Sequence, residues 1–195
     1  MAKIKIIFLI VCVLTGFGGL NNSSGNLNGQ SQNTQPVARN TIGTQTYNPQ
    51  HANLNTIIAI AQSQIGVKER TGNNDGKAVE TYLRYTNLPK GNPWCASFVS
   101  WVFGKAGFEQ PRTPWSPALF PKQRLSSSIK SGLVYGLYDI RKKRIVHCGI
   151  ATRKTSNWVL GVEGNTNVNG SVDGDGVYVK RRHIRTIHSI ADWVK

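Results

Sequence analysis

Residues that together can perform nucleophilic catalysis are spaced along the second half of this 195-residue chain. Cys95 follows Asn92 and Pro93, a favoured cap residue and a proline suited to the first helical position. A helix beginning there holds the Cys95 thiol at about its third residue, where unpaired N–H groups and the helix dipole favour a thiolate. A small buried core cysteine is the alternative that this residue alone leaves open.

A histidine on a predicted strand supplies a candidate base. In the segment Arg144–Thr152 alternate apolar residues form one face, and His147 lies on the other face beside Gly149. The small neighbour leaves room for a helix end to approach the imidazole. Cys148 then belongs to the core face and points away from His147. A hydrogen-bonded structural histidine is the alternative.

A third group can orient that imidazole. A hairpin loop centred near Lys154–Thr155 places His147 opposite Val162 or Glu163, and Asn165 follows two residues later. A carboxylate or amide that accepts one ring N–H fixes the tautomer and orientation of the other nitrogen. The pattern therefore predicts a nucleophile, a base and an orienting group, with the choice between Glu163 and Asn165 open.

The elements that must position these residues divide into helices followed by strands. Apolar spacing of three to four residues predicts helices over Leu54–Gly66, Asp75–Tyr85 and Asn92–Gly107. Alternating residues predict strands over Leu133–Tyr138, Arg144–Thr152, Asn157–Glu163, Val177–Arg181 and Ile184–Ser189. Short links between strands favour an antiparallel sheet, so the fold class is α+β, with N-terminal helices packed on the sheet.

The N-terminal quarter does not resemble a folded core. Two lysines precede the apolar run Ile6–Leu20, which is typical of an export signal. Fifteen residues at 1.5 Å each span about 22 Å of helix, short of a ~30 Å hydrocarbon layer, which favours cleavage over a retained anchor. We predict a signal peptide over residues 1–20, a disordered Asn/Gln-rich linker over 21–52 and a folded domain over 53–195.

Composition excludes several classes of protein. Three cysteines rule out a disulfide scaffold, and the metal-binding patterns of zinc fingers and of zincin-type proteases are missing. A net charge of +15 indicates an anionic partner. The basic runs Arg141–Arg144 and Lys180–Arg182 are typical of solvated sheet edges as well as of nucleic-acid contacts. Asp173–Gly176 resembles part of a calcium loop, but Ile184 occupies the position of the required glutamate.

Three segments together resemble one enzyme family. Asn92–Val99 (NPWCASFV), His147–Ile150 (HCGI) and Val162–Asn167 (VEGNTN) are similar to motifs of the CHAP family of cysteine, histidine-dependent amidohydrolases/peptidases. The upstream segments Gln64–Glu69 and Asn73–Gly76 also resemble the lead-in of cell-wall hydrolases of this type. The resemblance extends over nearly all of the predicted domain.

The resemblance implies a papain-like fold and a thiol mechanism. By that similarity Cys95 is the nucleophile, His147 the base and Glu163 the orienting group, with Asn165 in support. The implied reaction is hydrolysis of amide bonds in peptidoglycan peptides through an acyl-enzyme, without a metal or organic cofactor. Cys148 departs from the family pattern, which has an aliphatic residue after the histidine. A disulfide joining Cys95 to Cys148 would destroy the site.

We accordingly expect an exported bacterial protein, periplasmic or extracellular, whose partner is the anionic peptidoglycan of the cell wall. We expect a monomer that does not bind nucleic acid and meets the membrane only through its signal segment. Two alternatives are a cell-wall binding module that has lost turnover and an antibacterial toxin that uses the same chemistry.

Overall fold

The computed structural model describes residues 49–169 and 174–195. The predicted signal peptide and residues 21–48 of the predicted linker lie outside the described residues. Three helices come first: α1 (Pro49–Ser63), α2 (Lys77–Tyr85) and α3 (Cys95–Lys105). Across the described part of the chain, none of the helices has the length and apolarity needed to cross a membrane.

One antiparallel sheet of five strands follows the helices. Its strands are β1 (Val134–Asp139), β2 (Arg144–Thr155), β3 (Trp158–Thr166), β4 (Gly176–His183) and β5 (Ser189–Ala191). They lie side by side in the order β4-β3-β2-β1-β5. The predicted α+β class, with N-terminal helices packed on an antiparallel sheet, is therefore confirmed.

The central helix α3 packs on β2 and β3 and is itself covered by α1 and α2. Its side chains Phe98, Val99, Val102 and Phe103 are completely buried. They meet Cys148, Ile150 and Val162 of the sheet in one apolar cluster. Each such side chain contributes about 1.5–3 kcal/mol through burial, so this cluster fixes the start of α3 against β2 and β3.

The helix boundaries differ from the prediction at two ends. Helix α1 begins at Pro49 rather than Leu54, and Gly66 with φ of 91° follows three residues after its end. Helix α3 begins at Cys95, because Asn92 does not cap it. The Asn92 side-chain amide instead donates to the Pro89 carbonyl at 3.1 Å. This bond closes the turn before the helix.

The predicted register between β2 and β3 is wrong. The hairpin turn lies one to two residues later than predicted, with Ser156 at a φ of 40° and Thr155 paired with Trp158. A bulge at Thr152 adds a further shift, so that Ile150, not His147, lies opposite Val162.

The last predicted strand, Ile184–Ser189, is also wrong. Ile184–Thr186 forms a 3-10 turn, and the short strand β5 begins only at Ser189. His183 accounts for this difference, because its Nδ1 accepts a hydrogen bond from the Arg185 backbone N–H and caps the turn.

Candidate active site

Cys95 is the first residue of α3 rather than the third, and it is 5% exposed. No side chain caps this helix at Trp94. The first N–H groups of the helix are therefore free to stabilise negative charge at the thiol. The Cys95 Sγ lies 3.3 Å from the Ser116 Oγ and also interacts with the side chains of His147 and Cys148.

The upstream segment that contains Glu69 and Asn74 holds Trp94, the residue before Cys95. Trp94 is completely buried, and its indole Nε1 donates to Glu69 Oε1 at 2.8 Å. The other oxygen of Glu69 accepts from the Asn74 backbone N–H at 2.9 Å. Glu69 thus joins the two upstream segments to the start of α3, and the rigid indole fixes where Cys95 stands.

His147 lies on β2 next to a second bulge. Leu137 pairs with His147 and Tyr138 with Ile145, which leaves Val146 as an extra residue in β2. The His147 Nε2–H donates to Glu163 Oε2 at 2.8 Å, and the side chain is 17% exposed. Nδ1 is the ring nitrogen that remains for the thiol of Cys95.

Glu163 reaches His147 diagonally across the hairpin. It lies one residue beyond the pair formed by Ile150 and Val162, and its side chain passes over Gly149. A Cβ at Gly149 would be 2.7 Å from Glu163 Cγ, so only glycine admits this path. The sequence predicts that a helix end occupies the space beside His147 and Gly149. That prediction is wrong, because Glu163 and Tyr135 fill this space.

Two residues that the sequence analysis missed complete the binding of Glu163. The Arg182 guanidinium on β4 makes two hydrogen bonds, Nε to Oε1 at 2.7 Å and Nη2 to Oε2 at 2.6 Å. The Tyr135 hydroxyl on β1 donates to Oε1 at 2.7 Å. The completely buried carboxylate therefore accepts four hydrogen bonds, which is what a buried charge requires. Arg182 belongs to the basic run Lys180–Arg182, whose sequence is typical of a solvated sheet edge. Only the pairing of β4 with β3 shows that Arg182, unlike its neighbours, reaches Glu163.

The charges of these groups are set by one another. Burial raises the pKa of Glu163, but hydrogen bonds from Arg182 and His147 lower it to about 2. Burial lowers the pKa of His147, whereas hydrogen bonds with Cys95 and Glu163 raise it to about 10. A hydrogen bond from Cys148 and the adjacent His147 together hold the pKa of Cys95 well below its ordinary value, although burial opposes them. Both shifts favour a Cys95 thiolate beside a His147 imidazolium over a neutral thiol and imidazole.

Cys148 stays a thiol next to that thiolate. It is completely buried in the apolar cluster under α3, and burial followed by the negative charge of Cys95 raises its pKa well above the ordinary value. Its S–H can therefore donate to the Cys95 sulfur. Both cysteines are free in this structure.

Asn165 is placed differently from Glu163. It adopts a positive φ of 54°, which asparagine tolerates better than most residues. Its Oδ1 is buried without a hydrogen-bond partner among the described residues, so this oxygen does not accept from His147. Of the two candidates for the orienting group, Glu163 is the one in contact with the imidazole.

Residues 49–169 and 174–195 contain no cluster of side chains that could bind a metal ion. No group of three His, Cys, Asp or Glu side chains is close enough there to hold an ion. Asp175 belongs to the segment that resembles part of a calcium loop. Its carboxylate accepts hydrogen bonds from Lys68 Nζ at 3.1 Å and from the Tyr178 hydroxyl at 2.6 Å. Asp173 lies outside the described residues.

Comparison with known proteins gives structural similarity only at low sequence identity. No protein-family model matches the chain, and no curated protein matches it. A solved structure with a similar fold is the Resuscitation Promoting Factor Interacting protein RipA mutated at E444, at 16% sequence identity and a TM-score of 0.42. The similarity covers 74% of this chain and 63% of that chain.

Proposed function

We propose that this protein is an exported bacterial cell-wall hydrolase that cuts amide bonds in peptidoglycan peptides with Cys95 as its nucleophile. The observation that carries the proposal is the hydrogen bond between His147 and Glu163 together with the closeness of the Cys95 thiol to His147. A thiol at a helix start, an imidazole and a carboxylate in hydrogen-bond contact are the parts that acyl transfer requires. The motif resemblance to the CHAP family suggests the substrate.

The first half of the reaction forms an acyl-enzyme. The Cys95 thiolate attacks the amide carbonyl carbon, and the carbonyl oxygen becomes an oxyanion beside the first N–H groups of α3, including that of Cys95. The C–N bond then breaks as His147 transfers its proton from Nδ1 to the departing nitrogen. The products of this step are a free amine and a thioester on Cys95.

The second half releases the acid and restores the enzyme. Neutral His147 now accepts a proton from water through Nδ1, and the resulting hydroxide attacks the thioester carbonyl. The C–S bond breaks, the carboxylic acid leaves and the sulfur departs as the thiolate. Throughout the cycle Glu163 accepts from Nε2 of His147, so the ring keeps one orientation while its charge changes.

The net charge and the N-terminal segment support the choice of substrate. The chain has 24 Lys and Arg residues against 9 Asp and Glu residues, which attracts an anionic polymer such as the cell wall. The N-terminal lysines followed by an apolar run would direct the chain through the export pathway. Export would bring the protein to the compartment that contains the cell wall.

Digestion of purified peptidoglycan tests the proposal. The protein should release new amine ends and new carboxyl ends in equal number, and mass spectrometry of the products would identify the bond that is cut. A Cys95→Ala protein is the control that keeps the fold. Binding of both proteins to the polymer without release of either end would make this chain a binding module instead.

A further inference from the structure

A tryptophan and an arginine lie side by side next to the candidate nucleophile. Trp115 immediately precedes Ser116, whose Oγ contacts the Cys95 sulfur, and the Trp115 ring is 51% exposed. The Arg144 guanidinium carbon is 4.4 Å from the centre of that ring. Trp115 is exposed and Arg144 is half-buried, and neither residue has a role in the proposed reaction.

The loop that carries Trp115 is held in place by α3. Ser100 of that helix donates to the Thr113 carbonyl at 2.9 Å and accepts from the Thr113 backbone N–H at 3.0 Å. The Thr113 hydroxyl in turn accepts from the Trp115 backbone N–H at 3.1 Å. The ring is therefore positioned by the same helix that positions Cys95, which favours a binding role over a freely moving surface residue.

The bulge in β2 turns Arg144 toward the site. Asp139 pairs with Arg144 and Leu137 with His147, and residues two apart on one strand lie on the same face. Arg144 thus shares a face with His147, and the two steps from Leu137 to Asp139 on the partner strand amount to about 7 Å. Without the extra residue Val146, Arg144 would face the other side.

Arg144 has no acidic partner among the described residues. One of its N–H groups donates to the Ile145 carbonyl at 3.2 Å. The cross-strand neighbour Asp139 accepts through Oδ1 from the backbone N–H groups of Arg141 and Lys142, at 2.8 and 3.0 Å, and makes no ion pair with Arg144 among the described residues. The other charged groups of this turn, from Arg141 to Lys143, are exposed cations that add positive potential.

We infer that Arg144, stacked on Trp115, binds a carboxylate of the substrate peptide. A guanidinium on an aromatic ring keeps its N–H edge in a fixed plane, and that edge matches the two oxygens of a carboxylate. An extended peptide advances about 3.3–3.6 Å per residue, so the bound carboxylate lies about two residues from the scissile amide. This subsite rests on the proposed function and adds to it a preference for peptides with a free acid at that distance.

Calorimetric titration of the Cys95→Ala protein tests the subsite without turnover. The ligands are a muramyl tetrapeptide with free carboxylates and the same peptide with those carboxylates amidated. The free acid should bind more tightly, and Arg144→Gln should weaken its binding about tenfold while changing the amidated ligand by less than about twofold. Arg144→Lys should restore only part of the loss, because an ammonium group lacks the planar fork.

A second stacked arginine provides the matched control. The guanidinium carbon of Arg181, on β4, lies 3.9 Å from the centre of the Trp158 ring. Trp158 pairs with Thr155 at the turn between β2 and β3, eight residues along β2 from His147. Arg181→Gln removes the same charge from the same kind of stack and should leave both affinities unchanged. Trp115→Ala should weaken binding of the free acid as Arg144→Gln does.

Three results would overturn the subsite: equal binding of the two ligands, binding of neither, or equal weakening of both by Arg144→Gln. Carboxylate-selective binding in a protein that fails to digest peptidoglycan would refute the proposed function and retain the subsite.

Discussion

One face of the five-stranded sheet is buried with aliphatic residues, and the opposite face buries a charged network. On the helix side, Cys148, Ile150 and Val162 pack against α3 in a continuous apolar cluster. On the other side, Glu163 is equally buried but accepts hydrogen bonds from His147, Arg182 and Tyr135. The helix side holds Cys95 in place by packing, whereas the other side orients the His147 imidazole by hydrogen bonds.

The comparison shows why the two faces respond differently to change. Apolar packing is non-directional, so a volume-conserving substitution on the helix side is tolerated. A buried carboxylate depends on every one of its partners, because a lost partner leaves an uncompensated charge. Substitutions on the charged face should therefore lower turnover more than substitutions on the apolar face that remove the same number of atoms.

The largest effect should come from the nucleophile itself, and the neighbouring cysteine provides the contrast. Cys95→Ala should reduce turnover by at least about 10³-fold, because no other group can form the acyl-enzyme. Cys148→Ala removes one S–H donor from the apolar face and should cost less than about tenfold. Steady-state digestion of peptidoglycan measures both. A dead Cys148 variant beside an active Cys95 variant would reverse their roles.

The next effect concerns the charge of Glu163. Glu163→Gln keeps the shape of the side chain but removes the negative charge that favours the His147 imidazolium. We expect a loss of turnover on the order of 10²–10⁴-fold, the range of general-base and triad-carboxylate removal. The measurement is the rate of amine release at saturating substrate. Near-normal turnover would assign the orientation of His147 to another residue.

Arg182 should have an intermediate effect, and its neighbour on β4 is a matched control. Arg182→Gln leaves Glu163 with two of its four hydrogen bonds, so we expect turnover to fall about 10–100-fold and stability to fall by a few kcal/mol. Arg182→Lys should recover part of the activity. Arg181→Gln, a change of the same charge at an exposed position, should leave turnover and the midpoint of urea unfolding close to those of the parent.

Loss of stability with unchanged turnover in Arg182→Gln would make the arginine purely structural. A shift of the pH profile of turnover distinguishes a positioning role, since it would follow from a changed charge balance at His147.

The smallest effect should come from Asn165. Asn165→Gly removes the amide and keeps the positive φ, so backbone strain does not obscure the result. Because Oδ1 does not accept from His147, turnover should change by less than about threefold. The same amine-release assay applies. A loss as large as that of Glu163→Gln would return the orienting role to Asn165.

Short sequence patterns are sufficient to predict those site residues whose position depends on a single helix or strand. The cysteine at the start of α3 and the histidine on an alternating strand were both visible in short segments. The exact helix start was not, because Asn92 can cap a turn as well as a helix, and its hydrogen bond to Pro89 is a tertiary outcome.

Contacts between strands were harder to predict. The bulges at Val146 and Thr152 each add a residue to β2, and neither has a clear sequence signal. The hairpin register was therefore wrong, although Glu163 still meets His147 by passing over Gly149. Arg182 could not be recognised at all, since its role depends on the pairing of β3 with β4.

The pH dependence of Cys95 alkylation tests the central claim most directly. Iodoacetamide reacts with the thiolate, and mass spectrometry of the labelled peptide assigns the reaction to Cys95 rather than to Cys148. The pKa of Cys95 is held well below its ordinary value, and that of His147 is raised to about 10. The ion pair should therefore exist from well below the ordinary pKa of a thiol up to about pH 10, where His147 loses its proton and the thiolate loses its partner. The alkylation rate should form a plateau over neutral pH and change again near pH 10. A rate that is negligible at neutral pH and rises only around pH 8.5, as for an ordinary cysteine, would contradict the thiolate–imidazolium pair.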